Sequence, residues 1–467
     1  MTDANVPSVS ELSLAPKPTP FGHEMRKHFL FDKDWTPLNH GSYGTYPRPV
    51  RDRLRAIQDQ AEAAPDAYLR NDYVPLLEKS RAAMASLLNV EISTLVFVPN
   101  ATTATNTVLR SLRFSPGEKI IYFSTIYGAL ERTVDYITES TPAEAVKIQY
   151  AQPVNDDFLV AALRDTIRKE RSEGTEPRVA IFDTISSMPG CRLPFERLTE
   201  VCREENVLSL VDGAHGVGQI PIDLGALQPD FFVSNCHKWL FVPRGCAIFY
   251  IPTRNQHLIR STLPTSHGFV PLPDPSNPTP YTHYPFMVKS AVPPPFYQAF
   301  SFVGTTDNTP FLCLPAALDF RSRVCGGEQK IMDHNIALAQ QGAHLIADAL
   351  GTEVMDNAAH TLTKCALANI RLPLYVSGTK ANQETTEAAS STEDAIPVAA
   401  EHIGAVTTFL ATRMMSESHT FIPVFFYDDK WFARVSGQVY LSLDDFEFGA
   451  RVLKELCERV RKEEYLA

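Results

Sequence analysis

A lysine and an aspartate stand out because each follows an apolar run, a position where a charged side chain is costly to place. Lys238 comes shortly after the strand-like run Phe231–Val233 and directly before Trp239. Asp212 follows the apolar run Leu208–Val211. Desolvation lowers the pKa of a lysine, so such an amine can act as a nucleophile and a base. Taken singly, Lys238 is as well explained by an amine that reaches solvent at a strand end, and Asp212 by a helix cap or turn.

Together, Lys238 and Asp212 predict a site for pyridoxal phosphate (PLP). This cofactor needs a lysine that holds it as a Schiff base and a carboxylate against its pyridine nitrogen, which keeps the ring an electron sink. A phosphate site is expected in the run Asn100–Asn106, which follows a strand and offers backbone N–H groups and hydroxyls. A threonine-rich helix cap is the simpler interpretation of that run by itself. Ser234 and His237 flank the lysine and are expected to reach the same phosphate.

The elements that would position these residues alternate between strands and helices, which predicts an α/β fold with a mostly parallel sheet. Ligands of such sheets bind at the carboxyl ends of the strands. The expected strands are Leu95–Val98, Lys119–Phe123, Val179–Thr184, Leu208–Val211, Phe231–Val233 and Ala247–Ile251. Beyond them we expect a long helix from about Asp333, strands at Ala366–Leu374 and Phe421–Phe426, and a helix over Asp444–Glu464.

This pattern predicts an N-terminal arm (1–35), a large PLP-binding domain (36–330) and a smaller C-terminal α/β domain (331–467). The small domain carries a polar insertion around 376–395. A loop over Pro264–Pro295 is rich in proline and aromatic residues, and a loop of that length inside a domain is usually functional or disordered. We expect it to wall the pocket, although a dimer contact fits it equally. Its candidate wall residues are His267, Phe269, Tyr281 and Tyr284.

The composition of the chain disfavours several other functional classes. The 467 residues carry a formal net charge of −11, which disfavours nucleic acid and anionic membranes as partners. The 8 cysteines form no CxxC pair, so neither a disulfide scaffold nor a zinc site is expected, and a reducing compartment fits best. The segment Met1–Asn5 does not open a secretory signal, and no apolar run is long enough to span a bilayer. We therefore expect a cytoplasmic enzyme without a metal.

Three motifs resemble those of the class V aminotransferase group of fold type I PLP enzymes. They are Asp212–His215, Ser234–Lys238 and Phe432–Ser436. The resemblance implies the fold type I architecture, with Lys238 as the Schiff-base lysine and Asp212 on the pyridine nitrogen. It also implies that Arg434 binds the substrate α-carboxylate, and the apolar neighbours of Arg434 disfavour a simple surface ion pair. The remaining cofactor contacts that it implies are Ala101, Thr102, Ser234 and His237 at the phosphate, Ser187 near the phenolic oxygen, and His215.

A closer resemblance links the chain to the fungal hercynylcysteine sulfoxide lyases of ergothioneine biosynthesis. It is carried by Leu38–Gly44, Thr125–Ala129, Ser186–Gly190, Asn235–Cys246, Leu263–Phe269 and Phe302–Asn308. It implies that Asn39 and His40 bind substrate, and that Thr305 reaches the phosphate in the partner subunit of a homodimer. Tyr127 would lie over the cofactor, either as the acid that protonates the leaving sulfur or through ring stacking alone.

The implied reaction is β-elimination from hercynylcysteine sulfoxide, a sulfoxide of a cysteine conjugate. It gives pyruvate, ammonia and a sulfenic acid that is then reduced to ergothioneine. Nothing in the sequence marks a cysteine as a catalytic thiol, which counts against a cysteine desulfurase. Three alternatives stay open. One is another class V reaction, such as isopenicillin N epimerase-like epimerisation or cleavage of a different cysteine conjugate. The others are a fold type I protein without catalysis and, least favoured, a nucleic-acid module.

Overall fold

A mixed sheet of seven strands carries the predicted site. The computed structural model describes residues 18–269, 271, 295–377 and 395–467. The strand order is β1-β7-β6-β5-β4-β2-β3, and only β7 runs against the others. The strands are β1 Leu95–Val98, β2 Glu118–Phe123, β3 Glu144–Ile148, β4 Glu176–Asp183, β5 Leu208–Asp212, β6 Phe231–Ser234 and β7 Ala247–Tyr250. Helices follow most of these strands, as the alternating pattern of the sequence predicts.

The first part of the chain forms helices that precede, connect and cover these strands. In chain order they are α1 His23–Arg26, α2 His40–Tyr43, α3 Arg48–Ala63, α4 Pro65–Ala67, α5 Tyr73–Leu88, α6 Ala101–Ser111, α7 Gly128–Ser140, α8 Asp156–Ser172, α9 Phe195–Glu204, α10 Leu224–Leu227, α11 Cys236–Trp239, α12 Pro295–Ser301, α13 Thr309–Leu312 and α14 Leu314–Asp319. Two apolar cores lie on the faces of the sheet, and the central strands β5 and β6 are buried over all or nearly all of their length.

A second, four-stranded sheet in the order β10-β11-β8-β9 forms the smaller part of the fold. Its strands are β8 Leu367–Val376, β9 Ile396–Val398, β10 Val424–Tyr427 and β11 Lys430–Ser436, and its helices are α15 Glu328–Leu350, α16 Ile403–Ser418 and α17 Leu443–Arg461. Met25 and Phe29 from the expected N-terminal arm, together with Leu38 and Phe320, belong to the core of this second part. The two ends of the chain therefore build this core together, while the domain boundaries near 36 and 330 remain our proposal.

The predicted α/β class, with a large mostly parallel sheet and a smaller α/β part, is confirmed by this topology. The expected long helix begins at Glu328, five residues before Asp333. Strand β3 was not predicted, because this edge strand is half exposed and its segment Glu144–Ile148 contains no continuous apolar run. Most of the Pro264–Pro295 loop, including Tyr281 and Tyr284, lies outside the described residues, as does most of the 376–395 insertion.

Within the described ranges, no helix combines the length and apolar character that crossing a bilayer requires. The same residues contain no group of three or more histidine, cysteine or acidic side chains arranged to hold a metal ion.

Candidate active site

The carboxyl ends of three adjacent parallel strands bring the predicted site residues together. Asp183 ends β4, Asp212 ends β5 and Ser234 ends β6. Asp212 is the register partner of Asp183 on one side and of Val233 on the other. The chain then turns directly into α11, which carries Lys238. The edge predicted from the strand pattern is therefore the place where these side chains meet.

Lys238 is partly buried, and its amine is held by a histidine. Its Nζ lies 2.9 Å from Nε2 of His215, and the indole Nε1 of Trp239 donates to Nδ1 of the same ring at 3.3 Å. The pKa of Lys238 is lowered to about 8, mainly by desolvation; the charge of Asp212 opposes this shift, and the charge of Arg434 contributes to it. The lysine is thus partly neutral near pH 8, as a nucleophile and proton acceptor must be.

Asp212 presents one free carboxylate oxygen. Its Oδ1 accepts the backbone N–H of Ala214 at 2.8 Å, and Oδ2 has no hydrogen-bond donor among the described residues. Burial raises the pKa of Asp212, while the bond from Ala214 and the charge of Lys238 lower it. A protonated ring nitrogen at Oδ2 would compensate the buried negative charge. The donor set therefore fits the pyridine end of PLP.

The N-terminus of α6 offers a place for the phosphate. Asn235 Oδ1 accepts the N–H of Ala101 at 2.9 Å, and Asn100 caps the helix by accepting the N–H of Thr103 at 2.8 Å. The N–H of Thr102 has no partner among the described residues, so it is available to an anion. This geometry connects the phosphate candidates Ala101 and Thr102 to the strand end that precedes Lys238.

Ser234 and His237 occupy different settings. Ser234 is fully buried, and its Oγ accepts the N–H of Val217 at 3.2 Å, so its hydroxyl proton is still available to a ligand. His237 donates a hydrogen bond from Nδ1 to the carbonyl of Cys246 at 2.9 Å. Burial lowers the pKa of His237 to about 4, and a neutral ring has no second proton to donate. His237 therefore needs the phosphate charge to raise its pKa before it can donate to it.

Arg434 is buried without a counterion. It is 1% exposed, and no carboxylate lies within ion-pair distance among the described residues. Its Nη2 donates to Asn39 Oδ1 at 3.1 Å and to Ser42 Oγ at 2.9 Å, and its Nη1 donates to the carbonyl of Ser187 at 2.5 Å. Its Nε has no partner within the described ranges, and burial lowers the pKa of Arg434 to about 10. A buried arginine held only by neutral groups is suited to an anionic ligand.

His40 contacts the backbone of Lys238. Its Nε2 donates to the carbonyl of Lys238 at 2.6 Å, and its Nδ1 accepts the hydroxyl of Tyr440 at 2.8 Å. Burial lowers the pKa of His40 to about 3, so the ring is neutral. Both nitrogens are occupied by protein atoms, which gives His40 a role in positioning α11. The prediction that it binds substrate has no open ring nitrogen to support it, whereas the amide nitrogen of Asn39 remains available.

The other predicted contacts lie nearer the surface. Tyr127 precedes α7 and is 49% exposed, and Ser187 is half-buried beside Arg434. Thr305 is exposed, so its predicted contact with a second subunit stays a prediction. Phe269 belongs to the described part of the Pro264–Pro295 loop. The guanidinium of Arg260, which precedes the loop, lies 5.9 Å from the centre of the Phe269 ring. That contact places a cation beside one of the aromatic residues expected to wall the pocket.

Sequence reasoning assigned no role to four positioning residues. They are Ser42, Asn235, Arg321 and Tyr440. Arg321 is fully buried; its Nη1 donates to the Trp239 carbonyl at 2.6 Å, and it also forms an ion pair with Glu328. Their contacts with the site residues span long stretches of chain, so spacing gives no signal for them. Only Ser42 and Asn235 lie inside motifs that carried the resemblance.

Comparisons with known proteins agree with this geometry. Residues 55–288 match the family described as aminotransferase class-V. The chain is 36% identical over 454 residues to the L-cysteine desulfhydrase-like protein lolT1 of Epichloe uncinata, covering 96% of this chain and 98% of that protein. It is 27% identical to the hercynylcysteine sulfoxide lyase of Schizosaccharomyces pombe, covering 94% and 98%. A solved cystine C–S lyase in complex with cysteine persulfide superposes with a TM-score of 0.67 at 18% identity, covering 91% and 98%.

The chain belongs to the class V aminotransferase family and has the fold of the fold type I PLP enzymes. The predicted family, the fold type I architecture, the PLP-dependent enzyme class and the cofactor are thereby confirmed. The residues fit PLP: a lysine amine with a lowered pKa, a buried carboxylate with one oxygen free, and a helix N-terminus with an unpaired N–H lie at one edge of the sheet.

Proposed function

We propose that this chain is a carbon–sulfur lyase that performs β-elimination on an L-cysteine derivative, with hercynylcysteine sulfoxide as its substrate. The observation that carries the proposal is the buried guanidinium of Arg434, which lies near the strand-end cluster around Lys238 and has no counterion in the part of the chain that the structure describes. An α-carboxylate would supply the missing charge. With water as co-reactant, the products are pyruvate, ammonia and a sulfenic acid. A thiol reductant, itself oxidised to a disulfide, would reduce the sulfenic acid to ergothioneine and release water.

The side chains divide the reaction between them. Arg434 orients the carboxylate through its planar fork, with Asn39 and Ser42 holding the guanidinium in place. PLP, when bound, withdraws electrons from the α-carbon of the amino acid. Lys238, once its amine is free, accepts the α-proton, a role that its pKa of about 8 suits. We propose Tyr127 as the acid that protonates the leaving sulfur.

The cysteines favour elimination over transfer of sulfur to the protein. All 8 cysteines of the chain are described, and all are buried. A cysteine desulfurase needs an accessible thiol that receives the sulfur, and a buried thiol with a raised pKa is a poor nucleophile. A lyase that releases the sulfur with its organic group needs no such thiol.

The choice of substrate is supported by the hercynylcysteine sulfoxide lyase relative and by two exposed aromatic side chains, Tyr43 near Arg434 and Tyr127 at the start of α7. Tyr43 adjoins Ser42 and is 68% exposed, and Tyr127 is 49% exposed. Aromatic faces attract a trimethylammonium group. A second candidate, cleavage of L-cysteine itself, is favoured by the greater identity to the desulfhydrase-like relative. An isopenicillin N epimerase, 27% identical over 352 residues, keeps epimerisation as a third.

Pyruvate release tests the proposal. The purified PLP-loaded enzyme would be given hercynylcysteine sulfoxide, hercynylcysteine and L-cysteine in parallel, with Lys238→Ala as the inactive control. We expect the sulfoxide to give the highest kcat/KM. Pyruvate from L-cysteine alone would support the desulfhydrase candidate, and inversion at the α-carbon without pyruvate would support the epimerase.

We also propose a homodimer in which Thr305 of one subunit reaches the phosphate of the other. The exposure of Thr305 in the single chain is compatible with that role. Sedimentation analysis would give the mass of the assembly. Thr305→Ala should then weaken PLP retention without changing that mass, and a monomer with full activity would contradict the proposal.

A further inference from the structure

The indole N–H of Trp239 determines where His215 can carry its proton. An indole nitrogen donates and never accepts, so the 3.3 Å contact from Trp239 Nε1 requires an unprotonated Nδ1 on His215. Burial, and after it the charge of Lys238, holds the pKa of His215 well below its usual range, so the ring is neutral. A neutral imidazole without a proton on Nδ1 carries it on Nε2.

That proton faces the catalytic lysine. Nε2 of His215 lies 2.9 Å from Lys238 Nζ. Because Nε2 is the donor in this tautomer, Nζ has to accept, and only the neutral amine has a lone pair. An ammonium group would need Nε2 as an acceptor, which would move the histidine proton to Nδ1 and set it against the indole N–H.

We propose that Trp239 is a positioning residue that favours the Nε2–H tautomer of His215 and thereby favours the neutral, nucleophilic form of the Lys238 amine. The inference rests on Lys238 being the cofactor lysine of the proposed function. It assigns the Trp239 side chain a task beyond filling the core: it makes the lysine ready to bind PLP and to accept a proton each time it is released.

The fold holds the indole independently of the histidine. Trp239 is fully buried; its carbonyl accepts Arg321 Nη1 at 2.6 Å, and the ring of His40 lies 4.9 Å from its own. The indole N–H therefore cannot turn away to suit a different tautomer of His215.

Other charges around the lysine act on its pKa from several elements. Arg434 on β11 favours the neutral amine, while Asp212 on β5 and Asp183 on β4 favour the charged amine. Around His215, the pKa is lowered by Lys238, by Arg434 and by two further histidines, His40 and His237. Apart from Lys238 itself, none of these groups forms a direct hydrogen bond to a ring nitrogen of His215 among the described residues. Trp239 does.

The test pairs Trp239→Phe with Trp431→Phe. Both tryptophans are fully buried, and Trp431 also donates its indole N–H at 3.3 Å, to Thr407 in the second core. Phenylalanine keeps an aromatic ring and removes the N–H in each case. Circular dichroism melting of both variants checks that they fold.

The first readout is the tautomer of His215 in the cofactor-free enzyme at a pH above the pKa of Lys238, from nitrogen chemical shifts and couplings in histidine-labelled protein. His215→Gln identifies the signal by its loss. We expect the proton on Nε2 in the wild type and in Trp431→Phe, and a substantial Nδ1–H population in Trp239→Phe. A proton on Nδ1 in the wild type overturns the proposal, and this measurement decides even if Trp239→Phe does not fold.

The second readout is the pKa of Lys238, from the pH dependence of the rate at which added PLP binds to the cofactor-free enzyme. In Trp239→Phe we expect this pKa to rise by about one unit, which lowers the neutral fraction at pH 7 about tenfold. In Trp431→Phe it should not change. An unchanged value in Trp239→Phe overturns the proposal. Neither readout involves the substrate, so failure to release pyruvate would refute the proposed function separately.

Discussion

Asp183 and Asp212 lie side by side as register partners at the carboxyl ends of β4 and β5. Both side chains are buried, and among the described residues the carboxyl group of Asp183 receives no hydrogen bond. Burial, and next the charge of Asp212, raises the pKa of Asp183 well above its ordinary value of 3.8. Two carboxylates so placed cannot easily both ionise, and Asp212 has the stabilising bond from Ala214. Asp183 is therefore the member of the pair that stays protonated.

This relationship predicts how stability depends on pH. The folded protein keeps a proton on Asp183 that the unfolded chain has released above about pH 4. The associated stability is present at low pH and is lost as the pH rises, by at most about 1.4 kcal/mol per pH unit for one proton. Asp183→Asn removes this loss. The melting temperature of the cofactor-free variant, relative to that of the cofactor-free wild type, should therefore increase as the pH rises from 5 to 8.

The matched variant is Asp212→Asn. We expect Asp183→Asn to keep PLP binding and most of the pyruvate-forming activity, because an amide resembles the protonated acid. Asp212→Asn should lose activity, because an amide cannot stabilise a protonated pyridine nitrogen. The idea fails if the two variants have the opposite effects.

Arg434→Lys should lower kcat/KM by about 10²–10³-fold, mainly through KM. Lysine keeps the charge but loses the planar fork, and weakening a buried charge pair of this kind costs about 2–5 kcal/mol. Steady-state pyruvate formation measures the effect, and the absorbance of bound PLP should remain. Arg371→Lys, on the neighbouring strand β8 with an ion pair to Glu353, is the control and should be silent. An unchanged KM in Arg434→Lys would remove the proposed carboxylate contact.

The cysteines should resist alkylation in the folded enzyme. Each of the 8 is buried, and burial raises the pKa of Cys191 and Cys202, among others. Mass spectrometry after iodoacetamide treatment should show little modification of the native protein and up to 8 additions after unfolding. Loss of activity through rapid modification of a single cysteine would instead indicate a thiol that receives sulfur.

Tyr127→Phe separates proton donation from ring stacking. Phenylalanine keeps the ring and removes the hydroxyl, so a role as the acid predicts a fall in kcat of about 10²-fold or more. Tyr136→Phe is a fitting control, since Tyr136 is also on the surface, at 46% exposure against 49% for Tyr127. Rates for both variants close to that of the wild type would leave Tyr127 with stacking alone.

The sequence by itself determined the order of strands and helices and the places of Asp212 and Lys238 after two of the strands. The apolar runs before Asp212 and Lys238 specify adjacent strands, since local alternation of strand and helix is set by short-range patterning. The carboxyl ends of parallel strands share an edge, so these two side chains had to lie close together. The motifs around them are also sufficient to identify the family.

Only the tertiary structure decided which other side chains surround the site. His40 donates a hydrogen bond to the backbone carbonyl of Lys238, and Arg434 donates to Asn39 and Ser42. These contacts form because the second sheet packs against the segment around α2. The contact of Trp239 with His215 likewise depends on how α11 turns after β6. Such contacts join residues far apart in the chain, and their geometry follows from packing, which spacing and composition do not encode.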